Sequence, residues 1–190
     1  MPATPSKQPQ LVMIRLSHEP LSPAPEPADG YRMRCAVESD RDSYAALFKK
    51  VFPDPEMPFD SLAERSLKNG FLVVVDRDDV VRASAAAAIF PKEQHPGGAS
   101  LQWVMSDPDR RGVGIGRAVV HAASRRLCDS GQSYAFLSTD DFRLAAISLY
   151  LSLGWRPLLT PGIEPRWAAV FEALGQPFNA ADWPKEPPRG

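Results

Sequence analysis

The stretch Arg111-Gly112-Val113-Gly114-Ile115-Gly116-Arg117 stands between an apolar run with strand character and an amphipathic helical pattern, and it constrains the fold more than any other part of the chain. Three glycines in five positions let the backbone turn its N–H groups toward one point. The helix that follows adds the positive end of its dipole, so the unit suits an anion and a diphosphate best. A Walker loop would end in Gly-Lys-Ser/Thr, but Gly116 is followed by Arg117 and Ala118, which argues against an ATP or GTP site. The dinucleotide fingerprint would place its third glycine where Arg117 stands, and fails there.

Composition narrows the class further. A chain of 190 residues with 44% hydrophobic content is long enough for one domain with an ordinary core. A formal net charge of -1 lacks the electrostatic footprint of a nucleic-acid or membrane-surface binder, although Arg110, Arg111, Arg117, Arg125 and Arg126 cluster around the loop. No run reaches the roughly 18 apolar residues of a membrane span, and the N-terminus lacks a signal-peptide core, so a cytoplasmic location is expected. Cys35 and Cys128 read as inert thiols. His18, His95 and His121 are too scattered for a zinc site, and no metal is expected.

Arg111, Gly114 and Gly116 form Arg-x-x-Gly-x-Gly in the wider context Ser106-Asp107-Pro108-Asp109-Arg110-Arg111-Gly112. This resembles the coenzyme A pyrophosphate loop of the GCN5-related N-acetyltransferases, the GNAT superfamily. A second match lies downstream, where Phe142 to Trp155 resembles the family's late helix, Asn-x-x-Ala-x-x-Leu-Tyr-x-x-x-Gly-Phe, with Tyr150, Gly154 and Trp155 in register. Arg143 departs from the pattern, standing where the family often has a cofactor-contacting asparagine. The resemblance implies an α/β, α+β mixed fold with a central, mostly antiparallel, splayed sheet flanked by helices. It also implies that acetyl-CoA is the acyl donor. Val104, Met105 and Ser106 would then offer backbone groups to the pantetheine arm. Arg111, Gly112, Val113, Gly114, Ile115, Gly116 and Arg117 would hold the diphosphate; at the departing position, an arginine such as Arg143 has the charge and length to reach a phosphate instead.

Along the chain, residues 1–30 form a proline-rich extension holding seven of the twenty prolines, in which only Leu11-Val12-Met13-Ile14 is apolar enough to dock, as an edge strand. The domain is expected over residues 31–174, with a tail at 175–190. Alternation predicts a strand from Tyr31 to Cys35. Asp40 is placed to cap a helix through Tyr44, Leu47, Phe48 and Val51. A second helix through Leu62 and Leu67 is predicted to end at Asn69-Gly70. Phe71 to Val75 and Val80 to Phe90 read as a hairpin. Then come a strand at Ala99 to Ser106, a helix at Gly116 to Cys128, a strand at Tyr134 to Ser138 and the late helix from Phe142 to Leu153. A further helix is predicted over Arg166 to Leu174.

Acetyl transfer to an amine needs a neutral nucleophile, a stabilised oxyanion and a proton donor for the thiolate. A backbone N–H near Met105 or Ser106 suits the oxyanion. Tyr150 is the candidate catalytic acid, because a phenol stays protonated at neutral pH. The base is less legible. Gln102 cannot accept a proton, Asp140 and Asp141 lie where a base could stand but such residues are more often helix caps, His95 reads as an exposed loop residue, and His121 as a surface or groove residue. The acceptor, an amine of a small molecule or peptide, is encoded around Phe52 to Phe59 and Pro91 to Gly98, where Phe52, Phe59 and Trp103 are either pocket or core. The leading function is an acetyl-CoA-dependent N-acetyltransferase, with a homodimer left open. The alternatives are a non-catalytic acyl-CoA sensor of the same fold and a nucleotide-binding regulatory domain.

Overall fold

The computed structural model describes residues 8–52 and 56–188. Residues 1–7 of the proline-rich extension, 53–55 of the Phe52 to Phe59 region and 189–190 of the tail lie outside the described residues. The elements are β1 (Leu11–Leu16), β2 (Arg32–Cys35), α1 (Arg41–Val51), α2 (Phe59–Arg65), β3 (Ser66–Val75), β4 (Val81–Ile89), β5 (Ala99–Ser106), α3 (Ile115–Cys128), β6 (Tyr134–Thr139), α4 (Leu144–Ser152), β7 (Arg156–Pro157) and α5 (Glu164–Ala173). The strands form one seven-stranded sheet in the order β2-β3-β4-β5-β6-β1-β7. Pairing is antiparallel from β2 to β5 and between β1 and β7, and parallel between β5 and β6. This is the mixed α/β class predicted from the sequence.

Among the described residues two compact units can be distinguished, one within 15–136 and the other made of 8–14 together with Leu137–Pro187. In the first, Phe71, Val73 and Val75 of β3 join Val81 and Ala86 of β4 and Met105 of β5 in one core with Tyr44, Leu47 and Phe48 of α1 and Phe59 and Leu62 of α2. Successive strand residues point to opposite faces, which leaves Leu72, Val74, Ala83 and Ala85 for the face covered by α3. Alanines at positions 83 and 85–88 of β4 are fully buried, and their small side chains let the covering helices approach the sheet closely.

In the second unit, Met13 and Ile14 of β1 pair with Pro157 and Arg156 of β7, and the Leu158 N–H donates to the Val12 carbonyl at 2.9 Å. The segment Leu11-Val12-Met13-Ile14, expected as a sheet-edge addition to a domain beginning at Tyr31, is instead part of an inner strand between β6 and β7. Four near-continuous apolar residues suit burial on both faces, and Leu11, Met13 and Ile14 are buried. The tail also packs, because Phe178 and Trp183 lie against Phe171 of α5 with ring centroids 5.2 and 5.5 Å away.

Two local readings are corrected. The second helix stops at Arg65, and Leu67 belongs to β3. Between the Ser66–Ala88 and Phe71–Ala86 pairs β3 carries extra residues, with Asn69 at φ 57°, so Asn-Gly marks an irregularity inside a strand rather than a helix end. Gly70 is required there, because a Cβ would overlap the Ala87 carbonyl oxygen. Asp40 does not cap α1 with its side chain, which accepts from both Nη atoms of Arg34, at 2.6 and 2.7 Å, and from the Val37 N–H at 2.8 Å.

Candidate functional site

Strand β5 stays paired with β4 up to Ser106 but parts from β6 well before the glycine loop. On the β4 side, Ala86 faces Gln102 and Ser84 faces Met105, so β5 holds one residue more than β4 between these pairs. Trp103 takes up the irregularity at φ 45°, a conformation costly for a bulky residue. On the other side, the parallel ladder with β6 consists of Ser100 opposite Phe136. From Leu101 onward the β6-facing edge of β5, including Val104, Met105 and Ser106, has no ladder partner among the described residues. The Met105 side chain is buried in the core, so this residue can offer only backbone groups to a guest.

The loop that follows has the backbone its glycines permit. Asp107 accepts from the Asp109 N–H at 3.2 Å and opens a 3-10 turn over Pro108–Arg110. Gly112 and Gly114 have φ of 79° and 80°, and a Cβ on either would meet nothing within 4 Å. These glycines therefore serve backbone conformation in open space, not tight packing. Gly116 differs, since a Cβ there would come within 3.3 Å of the Ser106 side chain. Gly114 is the N-cap of α3, no side chain caps the helix, and its first turn holds no acidic residue. Arg117 stands in that first turn, where a cation opposes the helix dipole. A helix start with no acidic residue in its first turn keeps the positive end of its dipole uncompensated by its own side chains. Ile115 is buried and anchors the end of the loop, while Arg111, Gly112, Gly114 and Arg117 are exposed and Val113 is half-buried.

The structure thus brings Val104–Ser106 and Arg111–Arg117 together in one strand–loop–helix run, whereas Arg143 and Tyr150 belong to the second unit. Arg143 is the N-cap residue of α4, and its Nε donates to Asp140 Oδ2 at 3.1 Å. Tyr150 lies in the last turn of α4 and is buried; burial pushes its phenol above the usual range, with Arg143 pulling weakly the other way. The motif around it closes the helix: the Trp155 N–H donates to the Tyr150 carbonyl and the Gly154 N–H to the Leu151 carbonyl, each at 3.0 Å, with Gly154 at φ 82°.

Other sequence candidates find structural partners. Asp140 also accepts from Gln10 at 3.2 Å, and Asp141 is paired with Arg166 through both carboxylate oxygens. His95, expected to be exposed, is buried, stacked on Phe136 at 4.2 Å and hydrogen-bonded through Nδ1 to the Tyr134 hydroxyl at 3.2 Å. A tight turn pairing Lys92 with His95 folds the ring inward. His121 is likewise buried, with Nε2 3.4 Å from the Ser22 hydroxyl and no partner for Nδ1. Gln102 donates to the Ser100 hydroxyl at 3.0 Å. Phe59 is core, while Phe52 and Trp103 are half-buried against it, 5.2 Å apart. Cys35 and Cys128 are free and half-buried, and Cys128 accepts from Arg15. The sequence reading missed the role of Asp107, whose buried carboxylate meets Arg82 and Lys50. Its position at a strand end before a glycine loop was the available signal. Among the described residues no group of three or more His, Cys, Asp or Glu is arranged to hold a metal, and no helix is long and apolar enough to cross a membrane.

A model of the Acetyltransferase (GNAT) family matches residues 37–155, which takes in the splayed strand, the glycine loop and the capped end of α4. The chain belongs to this family. Mycothiol acetyltransferase of Nocardiopsis dassonvillei is 32% identical over 149 residues, covering 69% of this chain and 44% of that protein. The enzyme of the same name from Thermobispora bispora is 28% identical over 144 residues, covering 70% and 49%. The chain therefore spans less than half the length of these relatives. A GCN5-related N-acetyltransferase from Sphaerobacter thermophilus has the same fold, with a TM-score of 0.61 at 23% identity over 79% of this GNAT chain and 49% of the other.

Proposed function

We propose that this chain is an acetyl-CoA-dependent N-acetyltransferase acting on an amine of a small molecule or peptide. The observation that carries the reading is the open glycine loop, with Gly112 and Gly114 in the left-handed region, nothing within 4 Å of their missing side chains, and an uncapped helix start beyond. Backbone N–H groups of residues 112–117 would hold the diphosphate, with Arg111 and Arg117 beside it, and Arg143 is the proposed further phosphate contact. The open edge of β5 at Val104, Met105 and Ser106 would take the pantetheine arm.

In the reaction, the acceptor nitrogen attacks the thioester carbonyl carbon, the C–N bond forms, and negative charge collects on the carbonyl oxygen. A β5 backbone N–H stabilises that oxygen. The C–S bond then breaks, the thiolate takes a proton from the donor, and the cationic nitrogen gives one up to solvent water, from which the donor is reprotonated. Tyr150 is the proposed donor. Its raised pKa keeps the hydroxyl protonated at neutral pH, and because a thiol is the stronger acid, the phenol stabilises the departing sulfur first as a hydrogen-bond donor. A lysine acceptor, at a pKa of about 10.4, would be neutral in about one molecule in a thousand at pH 7.4, a cost of about 4 kcal/mol. No carboxylate is assigned as the base, since Asp140 and Asp141 are engaged by Arg143 and Arg166. That engagement favours a second reading, a non-catalytic acyl-CoA-binding module.

Thermal denaturation with acetyl-CoA tests the donor assignment. A ligand at about 100 times its Kd adds about 2.7 kcal/mol to folded-state stability. Stabilisation by ATP and NAD without stabilisation by coenzyme A would overturn the assignment. Thiol release across a panel of amines separates enzyme from binding module.

A further inference from the structure

The glycine loop is tied down at its entrance by alternating charges from three elements. Arg82 of β4 donates from Nη1 to Asp107 Oδ2 at 2.9 Å and from Nε to Asp76 Oδ2, in the β3–β4 turn, at 2.7 Å. Lys50 in the last turn of α1 reaches Asp107 Oδ1 at 3.4 Å and Asp109 Oδ2 at 3.1 Å. The backbone joins in, with the Asp107 N–H donating to the Arg82 carbonyl at 2.7 Å. The Asp107 side chain is only 2% exposed. Burial alone would raise its pKa, but the Asp109 N–H, Arg82 and Lys50 outweigh burial and hold it below the ordinary carboxylate range.

A buried ion pair adds little net stability over apolar packing, so its usefulness lies in the geometry it enforces. Gly112 and Gly114 touch nothing on their open side, and Arg111 is exposed, so the loop is held from its ends: by the buried Ile115 at one and by Asp107 at the other. Between α1 and the loop lies a cavity of about 320 Å³ lined by Lys50, Val51, Ser106, Asp107, Pro108 and Arg111, so the Lys50–Asp107 pair forms part of its wall.

We propose that Asp107, clamped by Arg82 and Lys50, is a positioning residue that holds the loop's N–H groups in register for the donor's diphosphate and ties that loop to α1. The inference rests on the loop being the diphosphate site of acetyl-CoA. It assigns Asp107 no contact with the reacting atoms.

The test compares two donors on the full chain by NMR titration: acetyl-CoA, and S-acetylpantetheine, which lacks the diphosphate. Asp107→Asn is expected to weaken acetyl-CoA by about 10- to 100-fold, as misplacement of a binding group does. Its affinity for S-acetylpantetheine is expected to stay at the wild-type value. Lys50→Ala, at a half-exposed position, is expected to weaken acetyl-CoA about fivefold, with Lys50→Arg restoring binding. A folded Asp107→Asn with wild-type acetyl-CoA affinity, or with equal losses for both donors, overturns the inference. If Asp107→Asn does not fold, an unchanged Kd in Lys50→Ala overturns it instead. Failure of the wild-type chain to bind acetyl-CoA while S-acetylpantetheine still binds overturns the functional reading itself.

Discussion

The glycine loop before α3 and the glycine turn after α4 use the same backbone conformation for opposite ends. Gly114 and Gly154 have φ of 80° and 82°. Around Gly114 there is open space and an uncapped helix start; after Gly154 the chain folds back, the Trp155 N–H satisfies the Tyr150 carbonyl, and the Trp155 indole is buried. On the proposed reading the first turn offers its N–H groups to a guest, whereas the second uses them to satisfy carbonyls of the helix it ends.

Removing residues 1–16 strikes the packed region hardest. Leu11, Met13 and Ile14 are buried, and each contributes about 1.5–3 kcal/mol, a sum comparable to the 5–15 kcal/mol that holds a typical domain together. Cooperative melting followed by circular dichroism is expected to disappear; its retention would show that β1 is dispensable. Tyr150→Phe comes next, with turnover expected to fall by about 100- to 10,000-fold while acetyl-CoA affinity holds, because only the hydroxyl is lost. Turnover near the wild-type level would return the whole end of α4 to packing. Gly114→Val is expected to weaken acetyl-CoA at least about 100-fold in calorimetry, at a folding cost of about 1–3 kcal/mol from the left-handed backbone. Gly154→Ala inverts that pattern, costing about 1–3 kcal/mol in denaturant unfolding with no change in Kd. If it weakened acetyl-CoA as much as Gly114→Val, the contrast between the two turns would fail.

The smallest effect concerns pH. His95 and His121 are held below the ordinary histidine pKa, chiefly by burial and secondarily by Lys92 and by Arg125 and Arg117 respectively. The unfolded chain then binds more protons than the folded one between the folded pKa and about 6.5. Stability should therefore decline as pH falls through and below about 6.5, whereas the lowered carboxylates, Asp107 among them, act below their ordinary range of about 4. Replacing both histidines with glutamine should flatten the melting temperature between pH 7 and 5, and an unchanged slope would assign the loss to other groups.

Elements with a strong local period were legible. Ala99–Ser106 is the strand read from sequence, α3 begins one residue before its predicted start, and α4 ends where Gly154 requires. Asn69-Gly70 misled because a positive φ serves a helix end and a strand irregularity equally, and the Ala87 carbonyl that decides between them comes from the neighbouring strand. His95 misled for a related reason: flanking prolines and glycines indicate a loop, but not that the loop folds its ring onto Phe136.

The residues alone determined the glycine loop, the helix beyond it and the Tyr150–Trp155 cap, because backbone conformation and helix termination depend on neighbours within a few positions. Only the tertiary structure decided that Leu11–Leu16 lies inside the sheet, that Trp103 adopts a left-handed conformation in β5, and that Asp107 is clamped by Arg82 and Lys50. Lys50 and Asp107 are 57 positions apart in the chain. Charge pairing and strand order over such separations are set by which surfaces the whole core brings together, and no local pattern encodes that.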